Sequence, residues 1–224
     1  SNIKFKEKID MAICLSFNLN YKAVSKKTYF YEGKNIINNT LKILERNKIK
    51  KIQYFSSFAV YGKSSKLNKE ENITKPFTNY GKLKVICESK LINFSNKNKL
   101  QYQIFRIPNV YGPKIKSSLI YKMQKNKLSK VPIMLNNKGS SIRNFIHIND
   151  LAVLSIKAFR RKKNGIYNAT SKNNYSILKI AKILKINYLF NKKKFDEPKK
   201  IIGSSLKARK NFNWFPLQNV KNFK

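Results

Sequence analysis

The feature that most limits the fold is the alternation of strand-like and helix-like segments through the first half of the chain. Residues 9–17, 50–55 and 101–107 are short apolar runs typical of buried strands. Residues 35–46 and 80–94 place apolar side chains at helical spacing. The order strand, helix, strand, helix, strand predicts parallel strands joined by right-handed crossovers. The sequence therefore predicts an α/β fold built on a parallel sheet.

The second half of the chain alternates less regularly. Its predicted elements are a strand at 142–148, a helix at 150–159, a strand at 166–169 and a helix at 176–184 with Ser176 as its N-cap. We expect residues 1–112 to form the first domain. We expect residues 113–224 to form mainly a smaller substrate-binding lobe, with some segments returning to the first domain.

The high positive charge of the chain at first suggests that it binds polyanions such as nucleic acids. The 224 residues include 49 Lys and Arg against 10 Asp and Glu, a formal net charge of +39. A dedicated nucleic-acid binder usually gathers its basic residues on one element, whereas these are spread along the whole chain. Asn and Ile are also abundant, as expected when codons drift toward AT-rich sequence. The sequence therefore predicts no specific nucleic-acid partner.

Targeting and metal signals are weak. No apolar run approaches the ~20 residues that a membrane-spanning helix needs, and no signal peptide is recognisable. Cys14 and Cys87 lack the spacing of metal ligands, and His147 is the only histidine. These features predict a cytoplasmic protein with no membrane partner and no metal site.

Tyr80 and Lys84 carry the clearest chemistry. Four residues apart on a predicted helix, they project from the same face. A free tyrosine has a pKa near ~10, and an adjacent ammonium group is expected to lower it toward the working range of an acid/base. Ser57 follows the strand that ends near Phe55 and could hold a substrate oxygen. The alternative is an exposed helix face, because a chain with 12 tyrosines and many lysines produces this spacing by chance.

Further motifs occur in a fixed order around this pair. They are SSFAVYG at 56–62, NYGKLK at 79–84, FRIPNVYGP at 105–113, RNFIHINDL at 143–151 and NFNWFP at 211–216. Together they resemble the extended short-chain dehydrogenase/reductase family, the NAD-dependent nucleotide-sugar epimerases and dehydratases. Asn213 stands where the family has a glycine. The resemblance implies a Rossmann-like doubly wound parallel sheet, amino-terminally truncated, with a smaller carboxyl-terminal lobe.

The resemblance also implies roles for individual residues. Ser57, Tyr80 and Lys84 match the catalytic positions. The positions that contact NAD in the family (NADP is not excluded) are Leu15, Ser16, Asn35, Tyr80, Lys84 and Pro108. The implied nucleotide-sugar contacts are Ser57, Asn109 and Arg143, the last with the diphosphate. Asn35 would act from the start of its helix, and the helices near Asn35 and Tyr80 would form a homodimer interface in the complete protein.

The chain departs from the family at two places. The family opens with a strand and a Gly-x-x-Gly-x-x-Gly turn, whereas the first glycine here is Gly33. We therefore expect a fragment or a decayed gene product, with the cofactor's pyrophosphate site missing. Phe58 and Ala59 replace the Asp-Glu pair of many dehydratases, which favours a 4-epimerase. A 4-keto reductase and an inactive scaffold or basic binding module remain alternatives.

Overall fold

A computed structural model describes residues 3–15, 25–64, 66–113 and 115–222. Its helices are α1 (Lys26–Arg46), α2 (Asn79–Lys97), α3 (Leu119–Leu128), α4 (Ile148–Phe159), α5 (Ile177–Ile183) and α6 (Leu206–Phe212). Its strands are β1 (Ala12–Cys14), β2 (Lys51–Ser57), β3 (Leu67–Asn68), β4 (Gln101–Ile107), β5 (Asn109–Tyr111), β6 (Ile133–Leu135), β7 (Ile142–His147), β8 (Gly165–Asn168), β9 (Asn174–Ser176), β10 (Tyr188–Phe190) and β11 (Lys200–Gly203). None of the helices described is both long and apolar enough to cross a membrane.

The first sheet has the strand order β1-β2-β4-β8, and every pair in it is parallel. Alternate residues of its central strands face opposite layers of helices. Tyr54 and Ile104 pack in the cluster formed with α1 and α2. Phe55 and Phe105 pack in the cluster formed with α4 and α6. The prediction of a doubly wound parallel sheet is therefore confirmed.

A second sheet has the order β3-β11-β7-β5, with β9 added antiparallel to β7. Strands β6 and β10 form a separate parallel pair beside it. β7 begins at Ile142 as predicted and leads directly into α4, where His147 accepts a hydrogen bond from the Asn149 backbone N–H at 3.2 Å. Strand β8 belongs to the first sheet, so a strand from the second half of the chain completes that sheet.

Helix α1 begins earlier than the sequence pattern indicated. It starts at Lys26, with the Ser25 hydroxyl accepting a hydrogen bond from the Thr28 backbone N–H at 3.1 Å. Its first turns were missed because they are mostly polar and include Gly33, which costs helix propensity. Gly33 lets the two helices approach closely, because an added Cβ would lie 2.1 Å from the Leu83 side chain of α2. Asn35 therefore lies inside the helix, and its predicted place at the helix start was wrong.

Four helices end in the same way, with a lysine in the left-handed conformation. Lys48, Lys99, Lys130 and Lys185 have φ between 52° and 56°. The next residue in each case donates its N–H to a carbonyl five residues back: Ile49 to Leu44, Leu100 to Ser95, Val131 to Asn126 and Ile186 to Ala181. This is the Schellman arrangement, in which glycine usually occupies the left-handed position. The chain accepts the backbone strain at four lysines.

The late NFNWFP element closes the core of the first sheet. Trp214 is fully buried, and its Nε1–H donates to the Asp150 carbonyl at 2.9 Å. Asn213 takes the left-handed conformation, with φ 46° and ψ 49°, at the end of α6. Asparagine tolerates that conformation better than most residues, which explains how it can stand in place of glycine.

Candidate active site

Helix α2 presents one row of functional side chains to the first sheet. Tyr80, Lys84 and Glu88 are spaced four residues apart and lie on one helix face. The helix begins at Asn79, and Thr78 caps it by accepting a hydrogen bond from the Gly81 N–H at 3.1 Å. The start of α2 therefore lies directly against the turn that follows β2, because a Cβ at position 81 would lie 2.4 Å from the Ala59 carbonyl oxygen.

Lys84 is buried, with only 4% of its surface exposed. Its Nζ donates to the Phe55 carbonyl at 2.8 Å and to the Tyr54 hydroxyl at 3.3 Å. Burial lowers the pKa of Lys84 to about 8, against smaller opposing effects of nearby thiols and Glu88. The charge on this lysine is therefore sensitive to its surroundings near neutral pH.

Tyr80 lies beside Lys84 and is joined to Ser57 by a hydrogen bond between their side chains. Burial raises the pKa of Tyr80, and the bond from Ser57 opposes that rise. We expected Lys84 to lower the pKa of Tyr80, but burial raises that pKa instead. The Lys84 ammonium lies 5.9 Å from the Tyr80 ring centroid and is held by the Phe55 carbonyl. Desolvation of the Tyr80 hydroxyl therefore determines the direction of its pKa shift.

Ser57 ends β2 and starts a 3₁₀ turn over Phe58–Tyr61. Its hydroxyl oxygen accepts a hydrogen bond from the Ala59 N–H at 3.2 Å. Phe58 is buried against Gly203, where an added Cβ would lie 2.7 Å from the Phe58 ring. Position 58 thus belongs to the core, and Ser57 remains half-buried at the end of the strand.

Three neighbouring cavities contain most of the predicted site residues. The first, of about 550 Å³, is lined by Leu15, Tyr80 and Lys84. The second, of about 160 Å³, is lined by Ser57, Pro108, Asn109 and Arg143. The third, of about 380 Å³, shares Asn109 and Arg143 with the second and also includes Met123, Leu135 and Glu197. The Tyr80–Ser57 hydrogen bond connects the walls of the first and second cavities.

Asn109 and Arg143 come from adjacent parallel strands of the second sheet. The Asn109 Nδ2 group donates to the Asn144 carbonyl at 3.3 Å, and the Arg143 Nη1 group donates to the Ile142 carbonyl at 2.9 Å. Burial lowers the pKa of Arg143, with Glu197 opposing. A guanidinium remains charged even so, and its fork of donors suits phosphate or carboxylate. Arg143 is therefore placed to bind an anion between the second and third cavities.

The remaining predicted residues fall in different places. Leu15 is 70% exposed at the edge of the first cavity. Ser16 lies outside the described residues. Asn35, within the described part of α1, lines none of the three cavities. Of these predicted cofactor contacts, the structure brings Leu15 and Pro108 to a cavity wall and leaves Asn35 apart.

The structure adds site residues that the sequence did not indicate. The first cavity has a largely apolar wall that includes Ile13, Ile107, Val110, Ile148, Ala152 and Ile156. Glu88, the third residue of the row on α2, forms a buried ion pair with Arg106. One signal could have found Glu88: it continues the four-residue spacing of Tyr80 and Lys84. Nothing in the sequence pattern indicated the wall formed by α4.

The comparison with known protein families decides the affiliation. A family model described as "NAD dependent epimerase/dehydratase family" matches residues 3–170. The chain belongs to this family. The predicted resemblance is therefore confirmed over most of the chain.

Individual relatives agree with that result. The chain is 25% identical to a putative UDP-arabinose 4-epimerase of Arabidopsis thaliana, covering 80% of this chain and 49% of the relative. It is 28% identical to a putative UDP-glucose 4-epimerase of Methanocaldococcus jannaschii, covering 98% of this chain and 75% of the relative. The chain thus spans about half the length of the Arabidopsis relative.

The fold also matches solved structures. A crystal structure of UDP-glucuronic acid 4-epimerase from Bacillus cereus, in complex with UDP-glucuronic acid and NAD, superimposes with a TM-score of 0.87. That match has 23% identity and covers 96% of this chain and 72% of the other. At this identity the match concerns the fold, and it confirms the Rossmann-like architecture.

Proposed function

We propose that the protein carrying this chain is an NAD-dependent nucleotide-sugar 4-epimerase. The observation that carries the proposal is the line of three cavities, with the Ser57–Tyr80 hydrogen bond at one junction and Arg143 at the other. Family membership and the names of the relatives support the same class of reaction. An acid/base pair lies on one side of the small central cavity and an anion-binding group on the other.

The residues of the first cavity fit the nicotinamide end of NAD. Its wall is mainly aliphatic, which suits a flat ring, and Tyr80 and Lys84 supply polar groups at one side. The described residues contain no glycine-rich strand-to-helix turn for a pyrophosphate, since the first glycine, Gly33, lies inside α1. Bound there, NAD would supply reversible acceptance of a hydride from a sugar carbon. We assign Leu15, Tyr80, Lys84 and Pro108 to the cofactor.

We assign proton transfer to Tyr80. As the phenolate, Tyr80 can take the proton of a sugar hydroxyl, and as the phenol so formed it can later return that proton, while Ser57 can hold the same sugar oxygen by a hydrogen bond. Lys84 is held in the site by its hydrogen bond to the Phe55 carbonyl. Water exclusion by the apolar wall strengthens these interactions.

The second and third cavities fit the two ends of a nucleotide sugar. The second, at about 160 Å³, has room for a single small ring, and Asn109 can hydrogen-bond to sugar hydroxyls. Arg143 is placed to hold the diphosphate, and the third cavity is left for the nucleoside. Phe58 is buried and Ala59 has no carboxylate, so this site lacks the acidic pair of many dehydratases.

Three broader features belong to the same proposal. We assign residues 1–112 to the cofactor domain and 113–224 mainly to the substrate lobe. We place the protein in the cytoplasm. We propose a homodimer through α1 and α2, although Val85 and Ile92 of α2 pack at least partly on the chain's own core.

The test is a coupled assay on the protein at its natural length, with bound NAD and a set of UDP sugars. We expect interconversion of the two C4 epimers with no net consumption of NAD. Stoichiometric consumption of reduced cofactor by a 4-keto sugar would instead indicate a reductase. No turnover with any nucleotide sugar, in a protein that retains NAD, would refute the proposal and favour an inactive scaffold.

A further inference from the structure

An ion pair is buried between α2 and β4, outside the three cavities. Glu88 and Arg106 each expose 4% of their side-chain surface. Arg106 Nη2 donates to Glu88 Oε2 at 2.7 Å, and Arg106 Nε donates to Glu88 Oε1 at 3.1 Å. The pair is therefore bidentate and almost fully removed from water.

The same two side chains reach further segments of the site. Ser56 donates a short hydrogen bond to Glu88 Oε1. Arg106 Nη1 donates to the Tyr61 hydroxyl at 3.1 Å, and Tyr61 donates to Asn168 Oδ1 at 2.7 Å. One ion pair thus contacts the end of β2, the 3₁₀ turn after Ser57 and, through Tyr61, strand β8.

Such a pair is a costly way to stabilise a core. A buried ion pair often contributes no more than an apolar pair of similar volume, because desolvation offsets the attraction. Its distinguishing property is direction, since a bidentate guanidinium–carboxylate contact fixes both distance and angle. Glu88 is four and eight residues from Lys84 and Tyr80 on one helix face. Fixing Glu88 therefore fixes the rotation and axial position of that face.

We propose that Glu88 and Arg106 are positioning residues that hold Tyr80 on α2 in register with Ser57 at the end of β2 and with Asn109 after β4. Neither residue lines the three cavities, so both act through others. The catalytic part of the inference rests on the proposed epimerase activity. The geometric part does not.

The main experiment replaces the pair with apolar side chains of similar volume, Glu88→Leu with Arg106→Met, in the protein at its natural length. The core remains filled, so we expect a thermal midpoint within a few degrees of the wild type. We expect kcat to fall about 100-fold with KM changed much less, because a displacement of about 1 Å at the reacting groups can cost that factor. Arg106→Lys, which keeps the charge without the fork, should lose less.

Two comparisons separate positioning from stability. Glu71→Gln breaks an exposed ion pair with Lys207, at 3.8 Å, and should leave kcat and the thermal midpoint unchanged. A doubly substituted protein that is folded and keeps the wild-type kcat would overturn the inference. A loss of kcat that only tracks the loss of folded protein would do the same.

A second readout does not depend on turnover. A small amine-reactive ester should label Lys84 from the first cavity, and mass spectrometry reports the rate at that residue alone. The titratable groups that influence Lys84 are Cys14, Cys87 and Glu88, and it also bonds to Tyr54. Glu88 raises the pKa of Lys84, so its loss alone should favour the free amine and speed labelling; a lower rate therefore reports movement of α2. We expect about a tenfold lower rate at pH 8 in the double variant.

The two proposals can fail separately. If the wild type converts no nucleotide sugar, the proposed function fails while the labelling still tests the position of Lys84. An unchanged labelling rate in that case would overturn the positioning role. If the wild type is active, the kcat of the folded double variant tests the positioning role.

Discussion

The two sides of the candidate site are held in different ways. On the α2 side, Lys84 is buried and bonded to β2, and Tyr80 is joined to Ser57. On the β7 side, Arg143 is half-buried, and its one described hydrogen bond goes to the neighbouring carbonyl of Ile142. The first side fixes distances between groups of the protein. The second leaves a charge available to a ligand.

The electrostatics of the two sides differ correspondingly. Burial lowers the pKa of Lys84 to about 8, so its charge responds to small changes around it. A guanidinium ordinarily titrates above ~12, so Arg143 keeps its charge although burial lowers its pKa. Acid/base chemistry requires a group that can change its charge, and anion binding requires one that does not. In a chain with a net charge of +39, we therefore propose distinct tasks for these two cations.

We expect the largest change in activity from removing the proposed acid/base group. Tyr80→Phe keeps the ring and deletes the hydroxyl that bonds to Ser57. We expect kcat to fall by about 10²–10⁴-fold, the usual contribution of general acid/base catalysis, with KM little changed. Steady-state kinetics on the protein at its natural length measure both. A matched Tyr31→Phe change, at an exposed position of α1, should have no effect; unchanged turnover in Tyr80→Phe would refute the role.

The opposite pattern is expected on the β7 side. Arg143→Ala removes a charged donor of the kind that contributes about 1.5–3 kcal/mol to a hydrogen bond. We therefore expect KM for the nucleotide sugar to rise by roughly 10- to 150-fold, with a smaller change in kcat. Arg160→Ala, at the exposed end of α4, is the matched control. A fall in kcat at constant KM would contradict the division of tasks between the two sides.

We also expect the stability of the protein to depend on pH through Lys84. Its folded-state pKa of about 8 lies below the ordinary value near 10.5, so the unfolded chain binds more protons between those values. The free energy of unfolding should therefore rise with pH from about 8 to 10, by up to about 2 kcal/mol from this residue. Below pH 8 the full cost of burying the charge is present.

Denaturant unfolding of wild type and Lys84→Met between pH 7 and pH 10 isolates this effect. The apolar variant lacks the rise, so its stability relative to wild type should decrease as pH increases. Above about pH 10 the buried tyrosines complicate the result, because burial raises the pKa of Tyr54 and Tyr80 and ionisation then opposes folding. Parallel curves for the two proteins would show that Lys84 is not desolvated as described.

The sequence predicted the α2 side better than the β7 side for a physical reason. Spacing on one helix places Tyr80 and Lys84 on a common face without knowledge of the rest of the fold. Strand β4 was predicted with its observed bounds because its apolar run ends at Pro108. The pKa of Tyr80 was predicted in the wrong direction, because desolvation depends on packing that spacing does not reveal.

The second half depends on contacts distant in sequence. Strand β11 lies between β3 and β7, and its four residues show no periodic pattern of their own. The early turns of α1 were missed because Gly33 lowers helix propensity, and its value appears only once Leu83 packs against it. The arrangement of the cavities around Arg143 likewise follows from tertiary packing rather than from local sequence.

Small changes in stability can test whether the two sides of the site unfold as separate units. Lys99 ends α2 and Lys185 ends α5, and both hold φ near 52–53° in matching Schellman turns. Glycine removes about 1–2 kcal/mol of left-handed strain and costs about 0.5–1 kcal/mol of chain entropy. Each of Lys99→Gly and Lys185→Gly should therefore stabilise the protein by about 0.5–1 kcal/mol, or ~1–4 °C in the thermal midpoint. The control is Lys97→Gly, inside the last turn of α2, which should destabilise by about 1 kcal/mol.

Because β8 completes the first sheet and Trp214 packs in its core, we expect one calorimetric transition that both glycine variants shift equally. Two transitions, one moved by Lys99→Gly and the other by Lys185→Gly, would mean that the acid/base side and the anion-binding side are independently stable.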